Sequence, residues 1–594
     1  MPSRWDDALL EAARKQGDPD ADTMVAEILT GAPAAGISRG GYNHLLDLAN
    51  VLVANPELSL VRDSRLRRQL DQAGHVASFF DPIEAPAWVD EEKLARAAGL
   101  WRTDSLLCIA VLYAASLPAC YLMKRGVPAL YATEKLSEQK YVFQRIFETG
   151  VMLEGVMSPG GIKVAHDVEP NSDEIIAGVL NAMDPLGMWA WQNHRLRRTG
   201  EGESPLPAEA VQQAFADARK QAKRYIWGGG IISARKVRFL HSAMRHMLQH
   251  PESMRGITKE ILDERARTFV EQAQYRKAPW DTAALGVPIN QEDLAFVLLT
   301  FGYLIPKGMD VWGRAVPREQ KEDFLHLWRV VGYVMGIRED LMTDNLDEAE
   351  ALYEAILRRN GGSSEPGQIL TSAIMDFLRK YLPERFGLAQ TVPASLIIDQ
   401  LGLERAKLLL NDKDLRAARN PLTRIGHGFA RSMIRLYYWL RRNLLRYVPV
   451  VGTGVSVLTQ HAADALIDSW RDSFRRNPFY IPTQATTWVM QRGVTDAYEA
   501  DLLKWRQRLF DTMAAGLGGL IFSGFGLAVT VVLFFLDMRY ARDVFLVATV
   551  STFTLAVIAL RYMVPHIALQ RPVVEDGTTK TGRSPSEPAV KAAS

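Results

Sequence analysis

Cysteine is nearly absent. Cys108 and Cys120 are the only two in 594 residues, too few for a disulfide scaffold, a four-thiolate zinc site or an iron–sulfur cluster held by four cysteines. They read instead as small packed hydrophobes. No CxxCH occurs, which excludes a c-type cytochrome. An excess of one charge is missing too. Lys plus Arg total 70 against 68 Asp plus Glu, a formal net charge of +2, so no global field steers the chain to nucleic acid. The amino-terminal stretch MPSRWDDALLEAARKQGDPDAD has acidic residues and no apolar run of signal-peptide length, and export by that route is not expected. Alternating β-branched runs are almost lacking between residues 5 and 75, which read as amphipathic helices broken at Asp18 to Asp22 and at Gly40 and Gly41.

Trp227 to His250, WGGGIISARKVRFLHSAMRHMLQH, has more to say. Gly228, Gly229 and Gly230 end what precedes, Ser233 is expected to cap a new helix, and His250 before Pro251 marks its end. Val237, Leu240, Met244, Met247 and Leu248 recur at helical spacing, and His241 falls among them, so it points inward. Arg238 and Arg245 stand three before and four after it. An imidazole on an apolar wall with guanidinium groups one turn away suits a haem, which needs a nitrogen ligand for iron and cations for its propionates. The same spacing suits a hydrogen-bonded core histidine with arginines paired to carboxylates. His246 and His250 have the i, i+4 spacing of a zinc pair, but no glutamate stands in HExxH order.

A second helix, Lys140 to Met157, carries Arg145, Glu148 and Thr149 at i, i+3 and i+4, one polar face that is also compatible with an exposed Arg–Glu pair. SPGG, Ser158 to Gly161, ends it. The apolar run Trp101 to Met123 is interrupted by Asp104 and Pro118 and reads as a buried core helix. Pro288, Asn290 and Asp293 open a helix near Gln291. His326, near Trp328, reads as partly buried and hydrogen-bonded.

Between Gly428 and Tyr447, Phe429, Met433, Leu436, Leu440 and Leu444 form one stripe and Arg431, Arg435, Arg442 and Arg446 another, with no acid between them. Such a helix, with Tyr437, Tyr438 and Trp439, fits either the plane of an anionic membrane or the surface of a soluble fold. Met513 to Leu536 holds no charge in 24 residues, about 36 Å as a helix against a hydrocarbon core of roughly 30 Å. Val544 to Leu560 is a second uncharged run of 17 residues, which Arg561 extends by snorkelling. The pair predicts a two-span hairpin packed through Ala515, Gly519 and Ser523 against Ala548, Thr552 and Ala556. Lys504, Arg506 and Arg508 before it, against Arg539 and Arg542 in its loop, favour both termini in the cytoplasm. The tail, rich in Pro, Ser, Thr and Lys, is expected to be disordered.

CYLM at 120–123, QRIFETGVML at 144–153, MSPGG at 157–161, KVRFLHSAMRHML at 236–248, VPINQEDLAFVLLTF at 287–301 and WRVVGYVMGIREDLM at 328–342 together resemble, in the same order, the oxygenase family that groups the latex clearing proteins with the endoplasmic-reticulum-bound oxygenase of mycophenolic acid biosynthesis. The resemblance covers about residues 76 to 410 and is greatest to bacterial relatives of unknown substrate. It implies an all-α, globin-like core holding one b-type haem on its proximal ligand, His241, with Arg145 and Thr149 across the haem. Rubber oxygenases commonly carry a lysine just before that threonine; Glu148 stands here, which changes the distal charge and argues against rubber as substrate. Family members activate O2 and oxidise lipophilic, unsaturated isoprenoid chains. The expected organisation is a helical preface (1–75), a catalytic domain (76–415), a basic amphipathic region (416–505), a transmembrane hairpin (506–567) and a disordered tail (568–594). The function expected is haem-dependent oxygenation of a lipid-like substrate at the membrane, in which Arg145, Glu148 and Thr149 face the chemistry and His241, Arg238 and Arg245 hold haem. The alternatives are a haem sensor or carrier without turnover, and a structural membrane protein without cofactor.

Overall fold

The computed structural model describes residues 4–30, 79, 83–132, 149–150, 152–166, 223–250, 280–381, 389–443, 496–570, 572–575 and 578–581. Arg145 and Glu148 lie outside them, as do residues 31–78, most of the expected preface. The elements used below are helices α1 (Asp7–Arg14), α2 (Pro19–Thr30), α3 (Glu91–Val111), α4 (Gly229–Gln249), α5 (Gln291–Gly302), α6 (Arg318–Val334), α7 (Leu346–Asn360), α8 (Pro421–Asn443), α9 (Asp496–Phe535) and α10 (Arg539–Ile558). Strands β1 (Ile83–Glu84), β2 (Lys163–His166) and β3 (Arg224–Trp227) accompany them. The architecture is all-α, as expected, with two small sheets among the described residues, of which the larger is ordered β1-β3-β2 and antiparallel throughout.

The core is built on α3, α5 and α6. Trp101, Phe296, Phe324 and Trp328 are buried in it, and Phe301 stacks on Trp328 with ring centroids 4.7 Å apart. Asn290 caps α5 by accepting the Asp293 N–H at 2.9 Å, which is the start that Pro288, Asn290 and Asp293 predict. Among the described residues four helices are long and apolar enough to cross a bilayer, and burial separates them. Glu91–Tyr121 and Gln291–Val311 are 72% and 67% buried, so they are core; Lys504–Phe535 and Arg539–Leu569 are 19% and 17% buried and present apolar surface outward.

The hairpin packs as its small residues predict, through partly different positions. A Cβ on Gly519 would lie 2.9 Å from that of Ala556, and one on Gly516 would meet Leu560 at 2.6 Å, so the helices touch where side chains are smallest. At its base Trp505 donates from Nε1 to the Ile567 carbonyl at 2.6 Å.

Three expectations are corrected. Residues 4–26 are no preface: Trp5, Leu10 and Ala13 belong to the main core, and Arg14 is fully buried against α5. The Ser233 hydroxyl does not cap α4, whose N-cap is Gly228 at φ +123, where a Cβ would come 2.3 Å from the Gly161 carbonyl; only glycine fits that approach. The tail is not disordered from residue 568. Pro572–Glu575 and Thr578–Thr581 pair as an antiparallel hairpin, and Asp576-Gly577 between them in the sequence is a two-residue turn signal between β-branched runs.

His326 is buried as expected, its Nε2 accepting the Asp90 N–H at 3.0 Å beside Trp88. Burial is the main reason its pKa falls to about 4. A histidine held neutral in the fold but protonated when unfolded stabilises above its unfolded pKa of about 6.5, and that stability drains away as pH falls toward the folded value. The parent is expected to lose roughly 2 kcal/mol more stability than His326→Gln between pH 7.5 and pH 5. Thermal unfolding at the two pH values checks this, and parallel losses would refute it.

Candidate active site

Two segments far apart in sequence form facing walls because the small sheet fastens both at one end. Residues 152–157 run through the Ser158 to Gly161 turn into β2, whereas β3 runs through Gly228 into α4. β2 and β3 pair Val164 with Ile226 and Lys163 with Trp227. Gly230 then allows the two chains to touch, since a Cβ there would stand 2.7 Å from both the Gly155 carbonyl oxygen and Val156 Cα.

The walls enclose a cavity of about 230 Å³. Val237, Leu240, His241 and Met244 of α4 line it, with Thr149 and Met152 from the other wall and Leu294, Val297 and Leu298 from α5. Trp328, Val331 and Met335 contribute from and just beyond α6. The lining is apolar apart from a few groups, among them Thr149, His241, Cys120 and Asp293, and His241 offers its only basic nitrogen among the described lining residues. Burial pushes the Cys120 thiol up to about 11, so it is an unreactive neighbour of Thr300. Burial also raises the Asp293 carboxyl above the usual carboxylate range, although Arg14 donates to it at 2.7 Å and Asn290 at 2.8 Å.

His241 therefore stands where the periodicity puts it, and Thr149 shares its cavity. Arg145 and Glu148 fall outside the described residues, so their face is not placed.

Arg238 and Arg245 are engaged by acids of α2 and the turn before it. Arg238 forms a bidentate pair with Asp18 through Nε at 2.5 Å and Nη2 at 2.8 Å. Arg245, buried, reaches Asp22 through Nε at 2.8 Å and the Ile289 carbonyl through Nη1 at 2.5 Å. Ser242 donates to the same carboxylate at 2.6 Å. The carboxylate-paired reading of the arginines is thus the observed arrangement. Ile289 lines the cavity at φ +50, a left-handed conformation costly for a β-branched residue, and its carbonyl is the one Arg245 grips. Such strain concentrates at functional sites.

Sequence reasoning missed the N-terminal acids and Asp293. Arg14 donates from Nε to Glu292 at 2.6 Å as well as to Asp293, and Glu292 also accepts from Arg359 at 3.2 Å and Asn360 at 2.7 Å. α1, α5 and α7 are thereby joined under the cavity. Lys236, just before the wall, has its ammonium below the usual lysine range through burial. The rings of His246 and His250 are 4.8 Å apart. Among the described residues no three His, Cys, Asp or Glu side chains gather as a metal site.

Residues 175–442 match the family model described as the ER-bound oxygenase mpaB/B'/Rubber oxygenase, catalytic domain. Among curated proteins the chain is similar to the rubber oxygenase of Streptomyces sp. (strain K30), 23% identical over 150 residues that make up 25% of this chain. The match spans 30% of that relative's length. Among solved structures, latex clearing protein LCP in the closed state aligns at a TM-score of 0.44 and 15% identity, over 75% of this chain and 91% of that one. The catalytic-domain match takes in α4, α5 and α6, and the N-terminal residues that pair with Arg238 and Arg245 lie before it.

Proposed function

We propose that the protein is a b-type haem-dependent oxygenase acting on a lipophilic, unsaturated substrate at a membrane, with His241 as the iron ligand. One observation carries the reading: His241 and Thr149, from separate parts of the chain, line one apolar cavity. The donor set suits a porphyrin. A single imidazole is not a complete metal site, and no further ligating side chains gather among the described residues, so iron here needs a cofactor that brings the remaining ligands with it. Haem, when bound, supplies the redox centre for O2 chemistry.

The protein's own residues do the rest. His241 presents a nitrogen from a rigid helix, the apolar lining excludes water from an oxidisable chain, and Thr149 offers a hydroxyl for orientation. Arg238 and Arg245 act at one remove, holding α4 to α2 through Asp18 and Asp22. Glu148 is proposed as the proton acceptor and Arg145 as its counter-charge, both lying outside the described residues. The net reaction would be cleavage of a C=C bond by O2 into two carbonyl ends, with both oxygen atoms retained in product. The exposed apolar hairpin supports a position beside a bilayer, from which a poorly soluble chain would enter, and the basic residues before it support cytoplasmic termini.

Detergent-purified protein is expected to show haem absorbance that changes on reduction, and to consume O2 when an unsaturated isoprenoid is added. Absence of the haem band from protein expressed with ample haem would overturn the reading. Haem without substrate-dependent O2 uptake would instead indicate a sensor or carrier.

A further inference from the structure

Helix α8 is fixed to the body by one side only. Arg441 donates to Asp104 at 2.6 Å and Tyr438 to the same carboxylate at 3.3 Å, while Arg314 holds its other oxygen at 2.9 Å. His427 pairs with Asp399 at 2.7 Å, with Arg431 at 3.5 Å from the same carboxylate. Two of the three aromatics that the sequence offers to a membrane, Tyr437 and Tyr438, are thus largely turned inward, and Arg431 and Arg441 are spent on the body.

What remains outside is ordered. Leu422, Ile425 and Trp439 are 64%, 70% and 56% exposed. At about 100° per residue they fall within an arc of roughly 100°, and the exposed Arg424 and Arg442 share one direction along its edge, whereas Arg435 beside them donates from Nη2 to the Val311 carbonyl at 3.2 Å. Pro421 to Asn443 contains no acid.

The place of this face is also fixed. Asp104, which grips the C-terminal half of α8, is two residues before Leu106, and Leu106 packs against the hairpin base formed by Trp505, Leu509 and Met513. In α9 that base lies just where Lys504, Arg506, Arg508 and Asp511 give way to the uncharged run. The exposed face of α8 therefore stands at the level where the hairpin would enter a bilayer.

We infer that α8 lies in the headgroup layer of an anionic leaflet, with Leu422, Ile425 and Trp439 reaching the acyl boundary and Arg424 and Arg442 meeting lipid phosphates. The inference rests on the hairpin being membrane-inserted, as the proposed function holds. A flat apolar arc with a cationic edge is what interfacial helices present, and continuity with the hairpin favours lipid over a protein partner. The consequence is an oxygenase body held flush to the surface, its orientation set by Asp104.

The test uses the full chain. Both native cysteines are buried, so a fluorophore can be placed singly at Ile425→Cys, Trp439→Cys, Phe534→Cys in the hairpin and Asp7→Cys on α1. In vesicles of phosphatidylcholine and phosphatidylglycerol, the labels at 425, 439 and 534 are expected to be quenched by brominated lipid and shielded from iodide, and the label at 7 to be open to iodide. Arg424→Glu with Arg442→Glu should release the 425 and 439 labels and leave 534 unchanged, since two arginines are together worth about a 30-fold shift toward the surface. If 534 is in lipid while 425 and 439 are as open to iodide as 7, this inference fails alone. If 534 itself is aqueous, the membrane reading fails with it. Equal shielding in vesicles of phosphatidylcholine only would overturn the role given to the arginines.

Discussion

His241→Ala is expected to lose haem, with occupancy down by ~100-fold or more, while helical content by circular dichroism stays at the parent level. The two halves of that outcome have separate causes. The fold rests on α3, α5 and α6 and on aromatic packing such as that of Phe301 on Trp328, whereas the described cavity lining offers iron no other basic nitrogen. His246→Ala, outside the described cavity lining though close in sequence, should keep haem. Full occupancy in His241→Ala would remove the ligand assignment; loss of helicity would show that the residue is needed for folding instead. Exogenous imidazole should restore part of the haem absorbance to the alanine variant, because it replaces the missing nitrogen without touching the helix.

The wall that carries His241 was readable because it depends on one helix: 237, 240, 241 and 244 share a face by periodicity, and all four line the cavity. The fate of Arg238 and Arg245 was not, because it depends on side chains 220 and 223 residues earlier, and no local pattern reports a contact at that separation. Asp104 illustrates the same limit. In the sequence it interrupts an apolar run; in the fold that interruption is a kinked, buried carboxylate at φ −137, ψ 26 that ties α3 to α8. The carboxy-terminal strands failed for a different reason. Their Asp-Gly turn and β-branched flanks were present in the sequence, but the composition of the surrounding tail outweighed a signal only two residues long. The two apolar helices, by contrast, were legible from length and lack of charge, the features that make them long and apolar enough to cross a membrane.

Arg14→Leu should be the most destabilising single change in the N-terminal segment. Its guanidinium lies between Glu292 and Asp293 with no exposed surface on its own side chain or on Glu292, and removing one partner from a buried ion pair costs about 3–5 kcal/mol because the remaining charge is stranded. Glu292 keeps Arg359 and Asn360, so Asp293 bears most of the loss. Its carboxyl is already raised by burial with Arg14 opposing that rise, and without the cation it rises further. A carboxyl raised in the folded state binds a proton more tightly there than in the unfolded chain, so its folded form is favoured at low pH and penalised as pH climbs past the unfolded value. The deficit of Arg14→Leu relative to the parent is therefore expected to be larger at pH 8 than at pH 5, the contribution of His326 being common to both proteins. Thermal unfolding of the two proteins in detergent at each pH reads this directly. A pH-independent deficit would mean that Asp293 stays charged through another partner, and a deficit under about 1 kcal/mol would mean that the N-terminal helix is not tied to the cavity floor through Arg14.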